Sequence, residues 1–219
     1  MPKNEIVPVE KNENKFYTKT KKFFAGLFRR LLRIKVVNSQ NEPTNTSYIV
    51  CCNHTALLDV VVIAAGLKRQ VSFMAKKEAF KVPILSWFIK SMGAFPVDRK
   101  GGDVGAIKKT IEILNGGSCV GIFPQGTRCP YKNPRETEIK DGIGMVAKRA
   151  GVGILPVAIK TKKGKVKLFR KTELIIGEYI PLEELMLEGT NKEQYETITK
   201  TAFNETCKLL ESDATKLLK

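Results

Sequence analysis

The sequence predicts an α/β fold: a single domain with a mixed, largely parallel β-sheet flanked by helices, preceded by a basic amphipathic N-terminal helix. Three observations lead there. The β-branched apolar runs "SCVGIFP" and "VGILPVAI", bounded by Gly and Pro, are patterned like strands buried on both faces. The helical stretches "DVGAIKKTIEIL" and "IGMVAKRAG" alternate with them, and strand-helix alternation builds a parallel sheet. At 219 residues and 42% hydrophobic, the chain can fill one sizeable core and is short for two.

Taken in order, residues 1–14 are polar and charged with two prolines, and read as a loose arm. In "KFYTKTKKFFAGLFRRLLRIK", Phe16, Phe23, Phe24, Leu27, Phe28, Leu31 and Leu32 recur at near-helical spacing, with Lys and Arg between them and no acid. Such a helix either docks its aromatic stripe on the core or lies at a lipid interface, where apolar burial and attraction to anionic headgroups add. "KVVNSQ" and "SYIVCC" read as strands around the turn-rich "NEPTNT", and "VSFMA" as another. A helix follows through "KEAFKVPILSWFIKSM", with Pro83 in its first turn or at a kink. The tail holds a strand, "ELIIGEY", a helix opening at Pro181, and a last amphipathic helix from about Lys192.

Thirty-eight Lys and Arg against 22 Asp and Glu give a net charge of +16, which suits a phosphate-bearing partner: nucleic acid, an anionic membrane surface or a phosphorylated substrate. The five cysteines contain no C-x-x-C pair, which argues against a zinc ribbon and, with their odd number, against a disulfide framework, and favours a reducing compartment. No apolar run approaches the roughly 18 residues of a spanning helix. The aromatics cluster in the N-terminal helix and the core instead of interleaving with Lys and Arg on strands, so single-strand stacking platforms are not apparent.

The chain's single histidine lies in "VCCNHTALLDVVV", five positions ahead of Asp59. Asn53 is a favourable N-cap, so a helix is expected from near Thr55. Within a helix, five positions separate side chains by roughly 140°, so His54 and Asp59 can meet only if His54 sits at the cap. A carboxylate on one imidazole nitrogen fixes the tautomer and frees the other as a base. Packing is the alternative for a lone histidine. Arg99, in "GAFPVDRK", reads by itself as a surface cation. "GIFPQGTRCP" delivers Gly126, Thr127 and Arg128 at the end of a buried strand, where α/β proteins bind ligands and Arg grips phosphate oxygens. "GIGMVA" matches a dinucleotide fingerprint only formally, because the charged "NPRETEIKD" before it is no strand. "GGSCV" falls short of a nucleophile elbow, with Val120 in the last position.

The order NH-x4-D, G-x-x-x-V-x-R, F-P-x-G-T-R and then a Pro inside an apolar strand resembles the glycerolipid acyltransferases of the lysophosphatidate acyltransferase type. The resemblance covers about Val36 to Tyr179. It implies residues 36–219 as the acyltransferase domain, with residues 1–35 as an arm and membrane-associating helix. It also implies His54 and Asp59 as the catalytic dyad. Phosphate and glycerol would be bound by Arg99, Gly126, Thr127 and Arg128, helped by Lys76 or Lys77, while Pro156 lines the acyl-donor side. One departure stands out: Gln125 occupies the place of the family's glutamate, keeping an acceptor oxygen but losing the charge.

The implied reaction moves an acyl group from acyl-CoA or acyl-carrier protein to the sn-2 hydroxyl of 1-acylglycerol 3-phosphate. It needs no cofactor, metal or enzyme nucleophile, because a thioester is already activated. Lysophosphatidic acid is then the acceptor, anionic lipid the surface partner, and nucleic acid no partner. The expected location is the cytoplasmic face of the cell membrane, peripheral or monotopic. The alternatives are an acyltransferase for glycerol 3-phosphate or another lysolipid, a non-catalytic basic binding protein, and a hydrolase using Cys51, Cys52 or Cys129 as nucleophile.

Overall fold

The structure, a computed structural model, describes residues 25–212 apart from 82, 84, 85, 87, 88, 91, 92, 98–103 and 187. Residues 15–24 of the N-terminal amphipathic segment, with Phe16, Phe23 and Phe24, and also Arg99 lie outside the described residues. Seven strands, β1 (Ile34–Val37), β2 (Ile49–Cys52), β3 (Val71–Lys76), β4 (Phe95–Val97), β5 (Cys119–Ile122), β6 (Ile154–Thr161) and β7 (Thr172–Ile176), form one sheet. Its order is β1-β7-β6-β2-β5-β3-β4. The strands from β6 to β4 run parallel, β7 runs against β6, and β1 joins β7 in parallel. The expected mixed, largely parallel sheet is therefore present, with its reversal at one edge.

The helices are α1 (Asp59–Gly66), α2 (Val104–Asn115), α3 (Gly142–Ala150), α4 (Leu182–Leu185) and α5 (Asn191–Glu211). Strand alternation sorts the core into two layers. Val50 and Cys52 of β2 face Val62 and Ile63 of α1, whereas Ile49 and Cys51 face Ile143 of α3 and Ala202 and Phe203 of α5. Each such side chain, fully buried, contributes roughly 1.5–3 kcal/mol of transfer free energy, so this double burial is what holds β2 rigid at the centre. The expected start of α5 near Lys192 is fixed by a capping box, in which Thr190 and Glu193 satisfy one another's backbone N–H groups.

Residues 25–31 are helical, and their end docks on the core through half-buried Phe28 and the fully buried Leu32. Arg29, although exposed, donates to the Ala65 and Gly66 carbonyls at the C-terminus of α1. Leu27 stays exposed. β1 opens at Ile34, so the sheet takes in two residues that the sequence reading set ahead of the domain. The helix expected from Lys77 begins as a 3-10 turn, Lys77–Lys81, and Pro83 lies beyond that turn. No helix of the described residues is long and apolar enough to cross a membrane.

Candidate active site

β2 delivers the histidine, but not by the route expected. Asn53 is not the N-cap of α1, which begins only at Asp59 with Leu58 before it. Its side chain instead accepts from Ile159 N–H at 2.8 Å and donates to the Ile159 carbonyl at 3.1 Å. The amide thus stands in for a peptide unit one step past the last β2–β6 pair, Cys52↔Val157. That splice satisfies β6 while the main chain leaves the sheet and carries His54 outward.

Asp59, at the first turn of α1 and wholly buried, reaches back over the loop. Its Oδ2 accepts from Thr55 N–H at 2.5 Å, Ala56 N–H at 2.7 Å and His54 Nδ1 at 2.9 Å, while Oδ1 accepts from the Thr55 hydroxyl at 3.1 Å. A carboxylate only accepts, so Nδ1 is the donor to Asp59, and Nε2 is the ring nitrogen that Asp59 does not hold. The imidazole side chain is 16% exposed against 0% for Asp59, which leaves the ring accessible and its partner dry.

The loop after β5 grips the same histidine. Gln125 Oε1 accepts from His54 N–H at 2.7 Å, and Cys129 N–H donates to the His54 carbonyl at 2.8 Å, so both polar groups of that peptide residue are fixed. The Gln125 amide donates onward to Thr137 Oγ1 at 2.9 Å, whose proton goes to the Pro134 carbonyl. Phe123 stacks on the imidazole with centroids 4.0 Å apart and planes 13° from parallel, and Phe73 of β3 lies 6.0 Å beyond it. Gly121 is required beneath this pile, because a Cβ there would lie 2.1 Å from the Phe73 ring. Sequence reasoning missed Phe123, although it is the Phe of the quoted "FPQGTR".

Gly126, with φ of 65°, Thr127 and Arg128 are exposed on this loop, beside the residues that hold His54. Lys76 is exposed at the end of β3, in register with Val97 at the end of β4, two positions before Arg99. Pro156 is buried in β6 opposite Cys51. Its carbonyl accepts from Gly177, just past the end of β7, so its missing N–H falls where the ladder has already stopped. The structure thus gathers His54, Asp59, Gln125 and the 126–128 loop at one point, with Lys76 at a nearby strand end.

The cysteine alternative loses two of its three candidates. Cys51 and Cys52 are buried, and burial pushes the Cys51 thiol up to about 12 and that of Cys52 well above its ordinary value. Neither is a thiolate nucleophile near neutral pH.

The family model Acyltransferase matches residues 33–160. A 1-acyl-sn-glycerol-3-phosphate acyltransferase of Bacillus subtilis is 33% identical over 204 residues, covering 90% of this chain and 99% of that protein. One from Streptococcus pneumoniae is 32% identical over 174 residues, covering 77% of this chain and 62% of its own length. Among solved structures, the 1-acyl-sn-glycerophosphate (LPA) acyltransferase PlsC from Thermotoga maritima superposes with a TM-score of 0.65 at 26% identity, covering 88% of this chain and 79% of that one.

Proposed function

The chain belongs to the Acyltransferase family and is an O-acyltransferase of the 1-acylglycerol-3-phosphate type, and on that premise we propose that His54 is its general base, oriented by Asp59. The observation that carries this reading is the 2.9 Å contact between His54 Nδ1 and a buried Asp59, with the rest of the ring accessible. Nε2 takes the proton of the acceptor's sn-2 hydroxyl as its oxygen attacks the thioester carbonyl. The tetrahedral intermediate then collapses, the C–S bond breaks, and the imidazolium returns the proton to the departing thiolate. The ester product is phosphatidic acid. A positioned base is worth about 10²–10⁴ in rate, and alignment of both substrates supplies much of the remainder.

The acceptor's phosphate and glycerol fall to Lys76, Arg99, Gly126, Thr127 and Arg128, with Pro156 on the donor side. The Gly126–Arg128 segment adjoins the loop residues that clamp His54, which supports this assignment. The donor is acyl-CoA or acyl-carrier protein. Residues 1–35 associate with anionic lipid at the cytoplasmic face, peripherally or monotopically, supported by exposed Leu27, Arg30 and Arg33 in their described part.

The test is turnover of lysophosphatidate by purified protein with each donor, read by product mass. Wild type forms phosphatidic acid and His54→Ala does not, while keeping its fold. Substantial turnover by the variant would overturn the assignment of the base.

A further inference from the structure

The hairpin loop joining β6 to β7, "KKGKVKLFRK", carries six cations and no acid, and no ion pair among the described residues involves any of them. Five of these cations and Arg33 line an open groove of about 520 Å³. Beside them Leu168 and Phe169 also line it, 49% and 68% exposed. Adjacent apolar side chains held in water next to unpaired positive charge are a costly surface unless something covers them.

The backbone holds this arrangement in place. Phe169 adopts φ of 61°, a region bulky residues rarely enter, and its N–H is tied to the Leu31 carbonyl at 2.7 Å. Tyr131, likewise left-handed and 65% exposed, donates its N–H to Gly164 on the same loop. Through Tyr131 and Cys129 the loop is joined to the segment clamping His54, and it follows β6 at the sheet end where β2 delivers that histidine. An exposed apolar pair beside five cations fits an anionic bilayer, whose acyl boundary takes the Leu and Phe and whose headgroups take the charge.

We propose that residues 162–171 form a second membrane-docking surface, inserting Leu168 and Phe169 among anionic phospholipids and setting the rim of the active site on the bilayer. This rests on the reading above only in taking a bilayer as the source of the acceptor. The N-terminal segment alone would tether the enzyme; this loop would also orient it.

The experiment uses the full chain carrying Phe169→Trp in a Trp87→Phe background, so that indole emission reports the loop. Expected is a blue shift, with quenching by brominated acyl chains, on vesicles containing phosphatidylglycerol and not on phosphatidylcholine alone. His54→Ala added to this protein leaves the shift intact, which separates docking from catalysis. The proposal is overturned if the protein sediments with anionic vesicles while the indole stays unshifted. It is equally overturned if an acidic protein shifts the emission and vesicles do not. As a second arm, Lys162→Gln, Lys163→Gln and Lys165→Gln together weaken vesicle binding by about 100-fold, roughly fivefold per cation, with turnover of a water-soluble short-chain acceptor unchanged. Unchanged vesicle affinity would contradict the proposal.

Discussion

Asp59 and Glu42 stand at opposite ends of α1, and they solve the same problem with different results. Each is a buried carboxylate that accepts from two consecutive backbone N–H groups and one ring-borne donor. For Asp59 these are Thr55, Ala56 and the His54 imidazole; for Glu42 they are Lys68, Arg69 and the Tyr48 hydroxyl, at 2.7, 2.8 and 2.9 Å. Tyr48 is wholly buried, and burial, with Cys119 and Glu42 beside it, raises its pKa far beyond the ordinary phenol range. Its hydroxyl can only brace the loop. His54 differs in having a second ring nitrogen and a side chain that is 16% exposed, so on the proposed reading the chemistry follows the donor's accessibility and not the carboxylate.

The sharpest way to break that comparison is to remove the two ring donors. His54→Ala lowers kcat by about 10²–10⁴ and, by removing its hydrogen bond to Asp59, also costs about 1 kcal/mol of stability, whereas Tyr48→Phe leaves kcat unchanged; initial rates beside urea titrations check both. Removing the carboxylates comes next. Asp59→Ala and Glu42→Ala each strand two backbone donors and lose about 3 kcal/mol of stability, but only Asp59→Ala also loses turnover, measured on protein shown to be folded by circular dichroism. Tyr48→Phe removes a single buried hydrogen bond, and denaturant unfolding registers about 1 kcal/mol. Smallest is Gln125→Glu, which keeps an oxygen for His54 N–H and asks Thr137 to swing its proton from Pro134. Steady-state rates stay within about threefold, at a cost near 1 kcal/mol. A large gain in rate would mean that Gln125 tunes the acceptor instead of ordering the loop.

Much of this was legible in the sequence because the informative stretches are short and contiguous. The strands at β5 and β6, the alternating helices, and the order of His54, "FPQGTR" and Pro156 all lie within local windows. The start of α1 was misread because the N-cap preference of Asn says nothing of Ile159, which claims the Asn53 side chain from 106 positions away. The stacking of Phe123 on His54 depends on β2 and β5 being neighbours, a fact of sheet order that no local pattern carries. The near-fingerprint "GIGMVA" also finds its physical reason: a Cβ at Gly144 would lie 2.1 Å from the Tyr195 carbonyl, so the glycine lets α3 and α5 touch.

The place of β1 at the sheet's reversed edge governs the order of assembly. Ile34 pairs with Thr172 and Val37 with Ile175, so this strand has no sheet partner until roughly 140 further residues have been synthesised, about 7–30 seconds at ribosomal speed. Loop closure of that span is also entropically slow to find. The strand made first therefore cannot take its place in the sheet until the last strand has been made.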